Sequence, residues 1–197
     1  MNIRNFNPFA QILDRLDIRY AAKHRQESGL AFHGLVTLEH FRRGDLIFRE
    51  TGKNTFTTEG MAKILNVIFH DISKDAAIYV GIFKNNVTPA VGNTAAACLG
   101  AAGTYGECQD ADYDSPATNR PAYTTVDTAT AVITNSASKA SFTMAASITV
   151  YGAFLASSQA KTATTGVLFC AKAFSSSRAV IDDDELAVTY QITCTTS

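Results

Sequence analysis

Tryptophan is absent from the 197 residues, and the residues that usually mark a chemical site are scarce: four histidines and four cysteines. His24, His33, His40 and His70 form no HxH or HExxH, so a zinc centre has no sequence support. Cys98, Cys108, Cys170 and Cys194 lie far apart, with no CxxC and no histidine nearby in sequence. They read as reduced, mostly buried thiols. Cys170 and Cys194 both fall in strand-like segments, and pairing them would need an oxidising compartment. There is no GxSxG nucleophile elbow and no GxxxxGK[ST] or GxGxxG phosphate cradle. No apolar run is long enough to cross a bilayer. Residues 1–8 lack the charged-then-apolar layout of a secretory signal, so the chain is expected to be made and kept in a cytoplasm until assembly. Charge of one sign is lacking too. The net charge is −1, with 8 Lys/Arg against 6 Asp/Glu in residues 1–50 and 9 against 12 in the remainder. That balance argues against nucleic acid as a partner. No enzyme activity, cofactor, metal or membrane contact is expected.

What is present is a β-rich pattern behind a helical start. Residues 7–28 predict a helix: Asn7 caps, Pro8 suits the first helical position, and Phe9, Ile12, Leu13, Leu16 and Tyr20 share one face. Gly29 suits a left-handed cap. Leu35–Phe41 and Leu46–Glu50 predict a hairpin turning at 42–45, so the hairpin covers residues 35–50. Thr57–Asp71 predicts a second helix with the apolar stripe Met61, Ile64, Leu65, Ile68 and Phe69, capped by Thr57 or Thr58. Residues 78–83, apolar on both faces, predict a buried strand. Residues 84–119 are mostly loop with one short helical turn, and a loop of that length is usually functional or at an interface.

Beyond Arg120 the texture turns to Thr, Ser, Ala and Val. Strands are predicted at 122–126, 129–134, 141–144, 148–155, 166–173 and 185–194. Turn signals such as Asn135-Ser136, Ser175–Ser177 and Asp182–Asp184 separate them. The expected fold is therefore mainly β: an antiparallel, jelly-roll-like β-sandwich with one packed helix. The expected division is an N-terminal arm, 1–33, and a sandwich domain, 34–197.

Several local patterns invite a chemical reading and have a plainer one. Asp182-Asp-Asp-Glu185 lacks Ca²⁺-loop spacing and reads as a solvated turn. Asp110, Asp112 and Asp114 alternate, but the glycine and terminal glutamate of a Ca²⁺ loop are missing. Arg43-Gly44-Asp45 reads as a hairpin turn rather than an adhesion motif. A carbohydrate-binding module would want an exposed aromatic platform, for which Tyr105, Tyr113 and Tyr123 are the candidates. The stripe of the first helix can pack on its own sandwich or lie in a partner's groove. In the second case Phe6, Phe9, Ile12, Leu13 and Leu16 are the expected partner-binding anchors.

Taken together, Asn54–Met61, Ala77–Phe83, Tyr113-Asp114, Asn119–Thr124, Val150–Ser157, Ala173–Val180 and Asp184–Tyr190 resemble a family of small virion structural proteins of tailed bacteriophages. The resemblance spans about residues 50–193 and rests on short motifs of common residues. It implies a β-sandwich capsid decoration or cement protein that binds the capsid exterior, with no catalytic residues. The implied partners are the major capsid protein and other copies of the chain, as dimer or trimer. The implied location is the virion, assembled in the host cytoplasm. The segment 7–28 departs from the family, whose members begin with the hairpin. A tail, neck or fibre-base protein is the alternative virion role.

Overall fold

The structure is a computed structural model and describes residues 29–196. Residues 32–195 form one compact unit. In chain order the elements are β1 (Leu30–Arg42), β2 (Asp45–Lys53), β3 (Thr55–Phe56), α1 (Thr58–Phe69), β4 (Tyr79–Phe83), α2 (Ala95–Cys98), β5 (Tyr113–Ser115), β6 (Val132–Thr134), β7 (Ala140–Met144), β8 (Ile148–Ala156), β9 (Leu168–Val180) and β10 (Glu185–Thr196). The first sheet runs β2-β1-β10-β7-β5, with β6 also pairing β10; the second runs β3-β9-β8-β4. The protein is an antiparallel β-sandwich with one substantial helix among the described residues, as the sequence pattern predicts.

Period-two alternation supplies the core between the sheets. Val36 and Leu38 of β1, Phe142 and Met144 of β7, and Leu186, Val188 and Tyr190 of β10 meet Val80, Ile82, Val150, Leu155, Cys170 and Phe174 of the second sheet. The β1–β2 turn carries positive φ at Arg43 (55°) and Gly44 (85°), so the Arg-Gly-Asp triplet is a tight hairpin turn.

A second core explains why β4 and β8 are apolar on both faces. Phe83, Phe154, Ala156, Leu168 and Ala171 pack with Ala95, Cys98, Leu99 and Tyr105 of the long connection between β4 and β5. Two rings fit there because glycine faces each of them across the β4–β8 ladder. Gly81 pairs with Phe154 and Phe83 with Gly152. A Cβ on either glycine would sit 2.1 Å from the opposing ring. Tyr105 stacks on Phe83 at 4.8 Å between centroids. The connection, expected to be mostly loop and functional or at an interface, is thus a covering layer that turns Ala95, Cys98, Leu99 and Tyr105 inward.

Three predicted details change. No strand forms over 122–126. That stretch runs beside β4 through two backbone bonds, Val80 N–H to Pro121 C=O and Tyr123 N–H to Ile78 C=O, and one isolated bridge. Pro121 has no N–H with which to extend the ladder. The three serines 175–177 are not an interstrand turn but part of β9, which runs on to Val180. Their turn chemistry appears as a bulge: between the pairs Gly152–Ala173 and Val150–Arg178, Tyr151 faces the whole stretch 174–177. Glu50 of β2 accepts from Ser175 N–H (3.0 Å) and Oγ–H (2.6 Å), tying the hairpin to the bulge. Finally, α1 buries less than its stripe suggests, and that difference defines the candidate site.

Candidate interaction surface

Among the described residues, the buried polar groups largely engage one another. The Glu107 carboxylate accepts from Arg120 Nε (2.6 Å) and Nη2 (2.7 Å) and from Gly100 N–H (2.8 Å). Both side chains are wholly buried. Arg120 also donates to the carbonyls of Ser158 and Ala163 and lies over the Phe154 ring. Burial raises the Glu107 carboxyl above its ordinary range, against the pull of the guanidinium and the Gly100 amide. Asp112 is buried and paired with Lys84 at 2.7 Å, while Asp110 stays exposed and meets Lys161 at 3.1 Å. These alternating aspartates therefore serve lysines that pin the covering layer. No group of His, Cys, Asp and Glu among the described residues is placed to hold a metal ion.

The acidic run 182–185 needs a correction. Asp182, Asp183 and Glu185 are exposed, but Asp184 is 1% exposed and is the hub of a buried cluster. It accepts from His40 Nε2 (2.8 Å), from Arg42 Nε (2.9 Å) and Nη2 (2.8 Å), and from Ile181 N–H (2.9 Å). The Arg178 guanidinium lies 3.4 Å from His40 Nδ1 and packs over the Phe48 ring. Both imidazole nitrogens are engaged, so neither is free for a substrate. Burial lowers the His40 pKa from 6.5, opposed by Asp184. Asp184 is held well below its usual 3.8, chiefly by Arg42.

Acid should therefore destabilise the fold in two stages. The unfolded chain protonates His40 more readily than the folded one. Its contribution is full above pH 6.5 and lost as pH falls below that value towards the folded pKa. The contribution of Asp184 is present above pH 3.8 and lost as pH drops further. The urea midpoint should fall between pH 7 and pH 5, and H40Q should flatten that stretch. A wild-type midpoint that stays level from pH 7 to pH 5 would contradict the assignment.

Three of the four cysteines (Cys98, Cys108 and Cys170) are buried and Cys194 is half-buried; all four are free. Cys170 and Cys194 belong to different sheets. The tyrosine platform is not there: Tyr105 and Tyr113 are buried, and Tyr123 is half-buried against the core. The five predicted anchors Phe6, Phe9, Ile12, Leu13 and Leu16 lie outside the described residues.

The structure instead exposes an apolar face on α1. Thr57 caps the helix, accepting from Gly60 N–H at 2.9 Å, and its hydroxyl donates to the Leu168 carbonyl. Glu59 accepts from Ala95 N–H (2.8 Å) and Leu168 N–H (2.7 Å), so the first turn is bound to β9 and α2. Met61 and Ile64 reach the core. The rest of the stripe does not: Leu65 is 52% exposed, Ile68 61% and Phe69 71%, and Ile72 follows at 45%. Beside this face runs a groove of about 580 Å³. Ile64, Val67 and Ile68 line it from α1, Ile78 and Tyr123 from the two segments that pair at the start of β4, and Ile133, Phe169 and Ile192 from the strands. Lys63, Lys74 and Asp75 add charge of both signs, with Lys63 and Asp75 paired at 3.6 Å.

The stripe was readable from the sequence, but its exposure was not. The nearest signal is the adjacent pair Ile68-Phe69, since one helical face cannot bury both fully, followed so soon by Ile72. Comparison with protein-family models, with curated proteins and with solved structures finds no match.

Proposed function

We propose that this chain is a structural protein of a tailed-phage particle. It binds the capsid exterior and holds neighbouring subunits together by surface burial. The observation that carries this reading is the apolar face of α1 with its adjoining groove. A contiguous apolar surface of this kind marks an interaction site rather than ordinary surface. The rest of the molecule suits a rigid body: a double core, a pinned covering layer, and the buried pairs Glu107–Arg120 and His40–Asp184 formed within the fold. The motifs that resemble virion proteins include the segment leading into α1 and, from the groove, Ala77, Ile78, Ala122, Tyr123 and Thr124.

The partners under this reading are the major capsid protein and further copies of the chain. A standard interface of roughly 800 Å² per partner, repeated over many sites, is sufficient for tight decoration. A tail, neck or fibre-base role would use the same surface in far fewer copies. A carbohydrate-binding role loses its platform, because two of the three candidate tyrosines are buried.

The reading is tested by adding the purified chain to phage heads that lack it. Saturable co-sedimentation is expected, together with a higher temperature for head disruption. Absence of binding to such heads would refute it.

A further inference from the structure

We propose that the α1 groove binds the hydrocarbon chain of a fatty acid, with the carboxylate held at the rim by Lys74. The proposal goes beyond the capsid reading, because it concerns the groove alone; Leu65 and Phe69 of the exposed stripe do not line it.

The groove is continuous with the main core. Phe169 at its floor is a core residue of β9, and Ile64, Ile78, Tyr123 and Ile192 pack against that core while staying partly open. Phe169 belongs to one sheet, and Ile133 and Ile192 to the other, so the groove lies where α1 meets both sheets. Its volume of about 580 Å³ falls in the range of small-molecule sites.

The floor dictates what can fill it. Of Ile78, Tyr123, Ile133, Phe169 and Ile192, only Tyr123 carries a polar side-chain atom. Its hydroxyl is directed at the carbonyls of Ile133 and Tyr190, 3.4 Å from each. A polypeptide pressed onto this floor would bring amide groups for which these side chains offer no partner. An alkyl chain brings none, and each methylene it takes out of water favours binding.

The rim selects the head group. Lys63, Lys74 and Asp75 stand there, two positive charges against one negative. Lys63 is engaged: it pairs with Asp75 at 3.6 Å and donates to the Ser73 carbonyl at 2.9 Å. Lys74 is exposed and has no such partner among the described residues. Elsewhere Lys84, Lys139, Lys161 and Lys172 each meet a carboxylate, so of the described lysines only Lys53 shares the condition of Lys74. An apolar floor joined to one uncompensated positive charge is the complement of a single-chain amphiphile with an anionic head.

The test titrates the isolated full chain with monomeric octanoate, decanoate and dodecanoate in a calorimeter. One molecule should bind per chain, and affinity should rise about two- to fourfold for each added methylene. K74E should weaken dodecanoate about fivefold and strengthen dodecyltrimethylammonium, reversing the head-group preference. I68E should abolish binding by placing a carboxylate in the groove, and circular dichroism checks its fold. Lys74 is exposed and unpaired, so K74E reads the rim even where I68E does not fold. No saturable binding of dodecanoate, an affinity indifferent to chain length, a K74E protein that keeps the wild-type preference, or a folded I68E protein that still binds would each overturn the proposal. Binding to phosphatidylglycerol vesicles without binding of the free acid would assign the groove to a bilayer and overturn it too. Phage heads are absent from the assay, so failure here is separate from failure to bind a capsid.

Discussion

Replacing Glu107 by Gln should destabilise the protein by about 3–5 kcal/mol, because it leaves a buried guanidinium without its counter-charge. Arg120 is completely buried, and the Glu107 carboxylate is the anion it meets. A glutamine keeps the shape and can still accept, but it removes the charge. The same position accepts Gly100 N–H, so the turn after α2 loosens as well. Chemical unfolding at pH 7 measures the loss. The double variant E107L/R120M should recover part of it, since an apolar pair can replace a buried ion pair at small cost. Recovery should be incomplete, because the carbonyls of Ser158 and Ala163 lose the donor that Arg120 provides. A single-variant loss below about 1 kcal/mol would show that the pair does not hold the covering layer.

The second large effect is expected at Gly60, where G60A should cost about 1–3 kcal/mol through overpacking. A Cβ there would lie 2.5 Å from both the Cα and the carbonyl oxygen of Phe169, and backbone cannot rotate aside as a side chain can. Alanine is the better helix former by roughly 1 kcal/mol, so propensity alone predicts the opposite sign. The contact should win, because α1 must back away from β9 to admit the methyl. That displacement would also break the Glu59 bonds to Ala95 and Leu168 and reshape the groove. Thermal unfolding gives the stability. A stabilised G60A would mean that α1 is not seated on β9.

These two sites show what a sequence discloses and what it withholds. Hairpin, second helix and most strands were legible because periodicity records which face is buried. The doubly apolar run 78–83 even announced a layer on each side, though not that the loop following it would supply one. Asp184 read as part of a solvated turn because its neighbours are exposed. Only the approach of His40 and Arg42, more than 140 residues away in sequence, makes it a buried hub. The serines 175–177 carry turn chemistry, yet Glu50 draws them into a bulge. Tyr105 and Tyr113 looked like exposed loop aromatics because loop position says nothing about what folds over it. The α1 stripe was visible as a pattern, whereas its exposure depends on which of its residues the strands reach: Met61 and Ile64 pack on the core, and Leu65, Ile68 and Phe69 do not.

A chain that decorates a phage capsid is present in many copies per particle, so its copy number in purified virions tests the proposed role. Quantitative gel densitometry against the major capsid protein provides it. Capsid decoration requires copies in the hundreds. A count near a dozen would contradict capsid decoration and place the chain in the neck, tail or fibre base, and absence from the particle would contradict the virion role altogether.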